Sequence, residues 1–300
     1  MVLMAVGVTA TAFLRTPFPP LRALISSTAR PIRSKFPSPS ILAAKMEAAS
    51  PAADKMEQEA RIDGEKKKKI FVAGSTGKTG KRIVEQLLSK GFEVRAGALD
   101  VDKARSSLPQ DPNVQIVKAD VTAGSDRLVE AIGDAEAVIC ATGFRPSWDI
   151  FAPWKVDNFG TVNLVEACRK IGVNRFILIS SILVNGAAMG QIFNPAYIVL
   201  NVFGLTLIAK LQAEQYIRKS GINYTIIRPG GLRNDPPTGN IVMEPEDTLY
   251  EGSISRDQVA EVAVEALFCQ DSFYKVVEIV SRVEAPKRSL EDLFRAIKQH

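Results

Sequence analysis

Histidine is almost missing from this 300-residue chain; its one copy is the last residue, His300. A Ser-His-Asp triad and a His-ligated metal centre are excluded on that ground. Cysteine is scarce too: Cys140, Cys168 and Cys269 stand far apart, each inside an apolar pattern. That spacing implies buried free thiols and no disulfide or metal framework. Acidic residues are absent from residues 1–46, where Arg15, Arg22, Arg30, Arg33, Lys35 and Lys45 all occur. Taking those six from the 38 basic residues leaves 32 against 33 acidic ones, so the overall +5 becomes a body of −1. Such a body does not suggest a nucleic-acid partner. Charge of either sign is missing over the 34 residues between Arg175 and Lys210. That stretch is nonetheless broken by Asn185, Gly186, Gln191, Asn194, Pro195, Asn201 and Gly204, too often for a membrane span.

Residues 1–46 are rich in Ala, Ser and Arg and broken by proline, as organelle transit peptides are. The uncharged start Met1-Val-Leu-Met-Ala and the many hydroxyls favour a plastid, with a mitochondrion as the alternative and a non-targeting tail as the plainer one. Residues 47–67 read as a polar linker, and the lysine run Lys66 to Lys69 crosses its end just before the first strand. Residues 68–298 form the folded domain.

Within that domain, short apolar strands alternate with helices. Strands are expected at Ile70–Ala73, Glu93–Ala98, Val114–Val117, Ala137–Cys140, Arg175–Ser180, Tyr224–Ile227 and Lys275–Val280. Helices are expected at Arg82–Leu88, Lys103–Ser107, Leu128–Ile132, Val156–Ile171, Leu207–Lys219 and Arg256–Leu267. Right-handed crossovers turn this order into an α/β, doubly wound Rossmann domain with a parallel sheet and a small C-terminal substrate-covering region.

Seven residues, Gly74-Ser75-Thr76-Gly77-Lys78-Thr79-Gly80, join the first strand to the first helix. Glycines there let the backbone approach an anion, and the helix start offers free N–H groups and its dipole. A triphosphate P-loop is disfavoured, because it needs a glycine five residues before Gly77 and Val72 is there. The bland alternative is a glycine-rich turn without a ligand.

Further residues follow in an ordered series. Asp120-Val121 ends strand three, Ala141-Thr142-Gly143 ends strand four, and Ser180-Ser181 closes strand five. Lys210-x-x-x-Glu214 and Tyr224-Thr-Ile-Ile-Arg-Pro-Gly-Gly231 come next. Taken singly, Asp120 is a helix cap, Ser181 a strand-end hydroxyl and Arg228-Pro229 a turn. As a set, over residues 68–298, they resemble atypical members of the short-chain dehydrogenase/reductase superfamily. The chain is similar to the NmrA-like and flavin-reductase-like branch, and to plant plastid flavin-reductase-related proteins akin to the dehydrogenase-like part of an inner-envelope translocon component. The resemblance implies that Asp120 and Val121 hold adenine, that Ala141, Thr142 and Gly143 line the ribose, and that Pro229 and Gly230 flank the nicotinamide. It places Ser181 at the catalytic serine and Lys210 at the ribose-clamping lysine.

One departure matters. The active superfamily carries an acid tyrosine one helical turn before the lysine, where the ammonium lowers its pKa. Here that position is Thr206, whose aliphatic hydroxyl cannot serve as such an acid. Tyr197 would need a chain reversal to replace it. Reduction of an ordinary ketone is disfavoured, whereas a flavin- or quinone-like ring takes its proton from solvent. The expectation is an NADPH-dependent reductase of such an acceptor. The alternatives are a non-catalytic dinucleotide-binding scaffold or redox sensor, and an isoflavone-reductase-like enzyme with Lys210 as base.

Asp100 lies at the distance from Gly80 where an acid bonds the ribose 2′-hydroxyl of NAD. The family's usual arginine at the end of this strand is replaced by Ala98-Leu99, leaving Lys78, Lys103 or Arg105 to attract a 2′-phosphate. NADP is the expected cofactor, with NAD as the alternative, and no metal is expected. The apolar stretch Ile182 to Ala209 reads as a buried helix plus a substrate-side loop, or as a peripheral contact with a lipid surface such as a plastoglobule or the thylakoid. Trp148, Phe151, Trp154 and Phe159 either stack on a flat acceptor or pack beneath a loop. Gly231 to Pro245 reads as a loop.

Overall fold

The computed structural model describes residues 67–143, 148–202 and 204–298. The expected transit peptide, 1–46, and all of the expected linker except its last residue lie outside them. The described chain begins with β1 (Lys69–Ala73), α1 (Lys78–Ser89), β2 (Glu93–Ala98), α2 (Val101–Ser107), β3 (Val114–Lys118), α3 (Ser125–Ile132) and β4 (Ala137–Cys140). A π-helical turn, Trp154–Phe159, runs into α4 (Gly160–Ile171). Then come β5 (Arg175–Ile179), α5 (Pro195–Val202), α6 (Thr206–Lys219), β6 (Asn223–Pro229), β7 (Gly231–Arg233), β8 (Asn240–Pro245) and β9 (Ser253–Ser255). The last elements are α7 (Arg256–Ala266), β10 (Lys275–Arg282) and α8 (Leu290–Ala296).

Eight strands form one sheet in the order β3-β2-β1-β4-β5-β6-β10-β8. The first seven of these are parallel, and the sheet reverses its winding between β1 and β4. Strands β4 and β5 are buried along their whole length, as both-faced cover requires. Alternation along β1 shows the two layers. Ile70 and Val72 pack with Ile83, Val84 and Leu87 of α1 and with the apolar face of α7. Phe71 and Ala73 pack on the other side with Leu128 of α3 and with Leu164 and Cys168 of α4. Each fully buried aliphatic side chain contributes roughly 1.5–3 kcal/mol. The doubly wound Rossmann architecture is therefore present as expected.

Arg175 knits the lower edge of the sheet. Its guanidinium donates to Thr225 Oγ1 at 2.7 Å, Ser272 Oγ at 2.8 Å and Asn223 Oδ1 at 3.0 Å, and also to the Ala266 carbonyl at the end of α7. These acceptors are neutral, and burial pushes its pKa down to about 10. The carbonyl end of a helix is a favourable place for a cation.

Several expectations need correction. The sheet is not wholly parallel, because β8 pairs antiparallel with β10 at the edge. The segment expected as a loop from Gly231 to Pro245 contains β7 and β8, and β7 pairs with β9 in a separate two-stranded sheet. The apolar stretch after β5 does form a helix, α5, but that helix has no buried residue. Helix α4 is preceded by the π turn, and α8 was not foreseen. Cys140 and Cys168 are buried free thiols, while Cys269 is only partly covered. Among the described residues no single helix is long and apolar enough to cross a membrane, and α5 and α6 meet at 87°.

Candidate functional site

The glycine loop lies at the carboxyl end of β1, beside the point where the sheet reverses, which is where ligands of this architecture bind. A cleft of about 620 Å³ opens there, lined by Gly74, Thr76, Gly77 and Lys81 from the loop and α1. Gly74 has φ +75°, and a Cβ on it would stand 2.8 Å from the Ala141 carbonyl oxygen. At Gly80 a Cβ would come within 2.1 Å of the Gly74 carbonyl oxygen, so α1 can pack under the loop only with glycine there. This backbone cradle fits a dinucleotide pyrophosphate at a helix start.

Not every loop residue faces that cleft. Ser75 is fully buried, and both its N–H (3.2 Å) and its hydroxyl (2.9 Å) donate to the Gly97 carbonyl. These two bonds fix the loop to β2. Thr79 and Gly80 are buried in the first turn of α1, and Lys78 is exposed and not among the cleft-lining residues.

Asp100, Asp120, Val121, Ala141, Thr142 and Gly143 all line the cleft. Asp100 is also a cap: Oδ1 accepts the Lys103 N–H at 3.0 Å at the start of α2. Asp120 caps too, with Oδ1 accepting from Thr122 N at 2.8 Å and Thr122 Oγ1 at 2.7 Å. Asn163 Nδ2 donates to the Val121 carbonyl at 2.9 Å and ties this wall to α4. Of the three cations considered for a 2′-phosphate, Lys103 lines the cleft; Arg105 pairs with Asp102 at 3.0 Å. Lys81 joins Lys103 there without having been singled out.

Lys210 is on α6, and its Nζ lies 2.7 Å from Oδ1 of Asp157, whose side chain is fully buried. Burial works against the charge on Lys210, but attraction and hydrogen bonding from Asp157 outweigh it and hold the ammonium above the usual lysine value. A general base must be neutral, so this pairing goes against the Lys210-base alternative. Asp157 sits in the π turn, a distortion frequent at functional sites. Neighbouring Asn158 donates to the Ala209 carbonyl at 3.2 Å, locking the turn to α6. Sequence reasoning missed Asp157, because its run also holds the exposed Lys155 and Phe159 and so shows no buried pattern. Thr206 opens α6 one turn before Lys210. Tyr197 instead packs over Gly186, where a Cβ would stand 2.5 Å from its ring.

The Lys210-x-x-x-Glu214 pattern divides its charges between two networks. Glu214 is fully buried and accepts from Arg228 Nη2 at 2.7 Å and from Ser180 Oγ at 2.5 Å. Arg228, 1% exposed, also donates to Asp247 Oδ1 at 2.7 Å and lies 3.3 Å from Glu278 Oε1. Glu278 in turn accepts the backbone N–H groups of Asp247, Thr248 and Leu249. Burial pushes the Glu278 carboxyl up despite these donors. Arg228 is thus the hub joining α6, β6, β10 and the strap after β8, and not merely part of a turn.

Beyond the ends of β5 and β6 a second cavity of about 1000 Å³ is lined by Ser181, Leu183, Phe193, Leu200, Gly230, Leu232, Tyr250 and Arg256, among others. Pro229 is buried within β6. Trp148, Phe151 and Phe159 are exposed, and none of the four aromatics expected at the substrate mouth lines either cavity. Among the described residues no group of three or more His, Cys, Asp or Glu side chains is arranged to hold a metal.

Residues 74–270 match the NAD(P)H-binding family. The chain is 73% identical over 245 residues to an uncharacterised chloroplastic protein of Arabidopsis thaliana, covering 81% of this chain and 88% of that one. It is 38% identical over 252 residues to the chloroplastic protein TIC 62 of Pisum sativum, covering 76% of this chain but only 46% of that longer protein. Among solved structures, the oxidoreductase YlbE of Lactococcus lactis superposes with a TM-score of 0.63 at 28% identity, covering 76% of this chain and 96% of that one.

Proposed function

This chain belongs to the NAD(P)H-binding family, and we propose that it is an NADPH-dependent reductase of a flavin- or quinone-like acceptor in the plastid. The observation that carries the reading is the Lys210–Asp157 pair one turn after Thr206. The carboxylate keeps Lys210 protonated and in place, so its remaining N–H donors can hold ribose hydroxyls. The fold offers no phenol one turn before it. A site so built orients a cofactor but supplies no strong acid, which suits an acceptor that takes its proton from water.

The residues that would hold the dinucleotide are Gly74, Thr76 and Gly77 at the pyrophosphate, Asp120 and Val121 at the adenine, and Ala141 to Gly143 with Lys210 at the ribose. When bound, such a dinucleotide supplies hydride. NADP is favoured over NAD because Asp100 already accepts a bond as a helix cap, while Lys81 and Lys103 bring two positive charges to the cleft. Ser181 lines the second cavity and is the candidate for orienting the acceptor. The plastid assignment is supported by the chloroplastic relatives and by the acid-free, Arg- and Ser-containing residues 1–46.

A peripheral lipid contact rests on α5. Ile198, Val199, Leu200 and Val202 are exposed on it, and Ile150 and Pro153 pack against Gly204 where α5 meets α6. An uncharged apolar helix of this kind suits the surface of a lipid particle or the thylakoid. Flotation of the protein with plastid-lipid liposomes tests it, and recovery only in the soluble fraction would remove it.

Turnover tests the main proposal. Purified protein should oxidise NADPH faster with a flavin or quinone present than without. If it binds NADPH but no acceptor raises the rate, the chain is a dinucleotide-binding scaffold or sensor.

A further inference from the structure

The second cavity has mostly apolar walls and one cation, Arg256, whose charge is not matched. Phe193, Leu200, Leu232 and Tyr250 supply the apolar surface. The Arg256 guanidinium donates to the Leu232 carbonyl at 3.1 Å and to Asn234 Oδ1 at 2.9 Å, both neutral acceptors. Its sequence neighbour Asp257 is engaged elsewhere, accepting from Arg82 Nε at 2.9 Å. Glu251 lies exposed on the same rim, yet no carboxylate forms an ion pair with Arg256 among the described residues.

The position makes this costly. Arg256 is the first residue of α7, directly after the Ser255 cap, where the helix dipole disfavours a cation. Burial and the neighbouring Arg82 both lower its pKa, in that order. The two hydrogen bonds tie the start of α7 to Leu232 and Asn234, but neutral acceptors leave the guanidinium's charge unbalanced. The same charge is useful if an anion arrives with the ligand.

We propose that the second cavity takes a flat apolar ring compound bearing an anionic group, and that Arg256 holds the anion while the apolar walls hold the ring. This rests on the reductase reading for the ring's role as acceptor, but the recognition itself does not need turnover. A phosphate and a carboxylate share the required chemistry.

The test is binding, measured with NADP+ at saturation so that the first cleft is filled. FMN against riboflavin isolates a phosphate, and 1,4-naphthoquinone-2-carboxylate against 1,4-naphthoquinone isolates a carboxylate. In at least one pair the charged member should bind roughly ten- to hundredfold tighter. Arg256→Gln should erase that difference while leaving the uncharged member unchanged, and Arg256→Lys should restore part of it. Equal binding within both pairs overturns the proposal, as does a difference that survives in R256Q. If R256Q also weakens the uncharged member, retention of the difference in R256K supports the proposal and its loss overturns it. Charge-selective binding without NADPH oxidation would uphold this site and sink the reductase reading.

Discussion

Lys210 and Asp157 carry most of the functional argument at the scale of single residues. With Asp157 beside it, Lys210 has a folded pKa above the 10.5 of the unfolded chain. The stabilisation from its charge is therefore complete below 10.5 and is lost only as pH rises through the folded value. NADPH binding should accordingly be flat across neutral pH and fall only in strong alkali. Asp157→Asn removes the largest attraction and leaves burial opposed only by the weaker pull of Cys140 and Glu214, so the alkaline fall in binding should move to lower pH. Titrating NADPH affinity against pH in both proteins checks this; an unchanged profile would contradict the pairing. Lys210→Ala should weaken NADPH roughly ten- to hundredfold, the value of a charge-assisted hydrogen bond. Undiminished affinity would remove Lys210 from the site. Gly80→Ala should destabilise the fold by about 1–3 kcal/mol and impair cofactor binding, because the new methyl meets the Gly74 carbonyl. Chemical denaturation and NADPH titration read the two effects.

Secondary-structure elements divide into those legible in the sequence and those that were not. Strands β2 and β4 fall where the sequence pattern puts them: β4 is a short apolar run buried throughout, and β2 alternates partly buried Glu93 and Arg95 with buried Val94 and Ala96. Strand β8 was hidden by the Pro236, Pro237 and Gly239 before it and by Pro245 at its end, all turn signals on a sheet edge. Helix α5 misled in the opposite sense, because apolar composition alone cannot tell a buried helix from an exposed one. The cofactor loop was legible, but the inward turn of Ser75 depends on the Gly97 carbonyl of a different strand, which no local pattern reveals. Asp157 was missed for a similar reason: its alignment with Lys210 comes from the π turn. The hub at Arg228 also joins residues far apart in sequence. Arg228→Ala should cost about 3–5 kcal/mol, since it strands the buried Glu214 and Glu278 carboxylates. Urea unfolding of the variant tests this, and a loss below 1 kcal/mol would show that the network contributes little.

The described residues form a sheet with two cavities along the carboxyl ends of its strands. The first lies at the β1–β4 reversal, and the second lies beyond β5 and β6. The glycine loop and the family match account for the first, and the unpaired Arg256 gives the second its chemical character. One turn before the held cation Lys210 the helix carries Thr206 and no phenol, and this is the feature on which the choice of acceptor is argued. The account stands or falls on acceptor-dependent oxidation of NADPH by the purified protein, followed at 340 nm with FMN, riboflavin, quinones and simple ketones. It predicts a saturable rate increase with a flavin or quinone, none with ketones, and loss of the increase in Lys210→Ala. A rate that no flavin or quinone raises would contradict it.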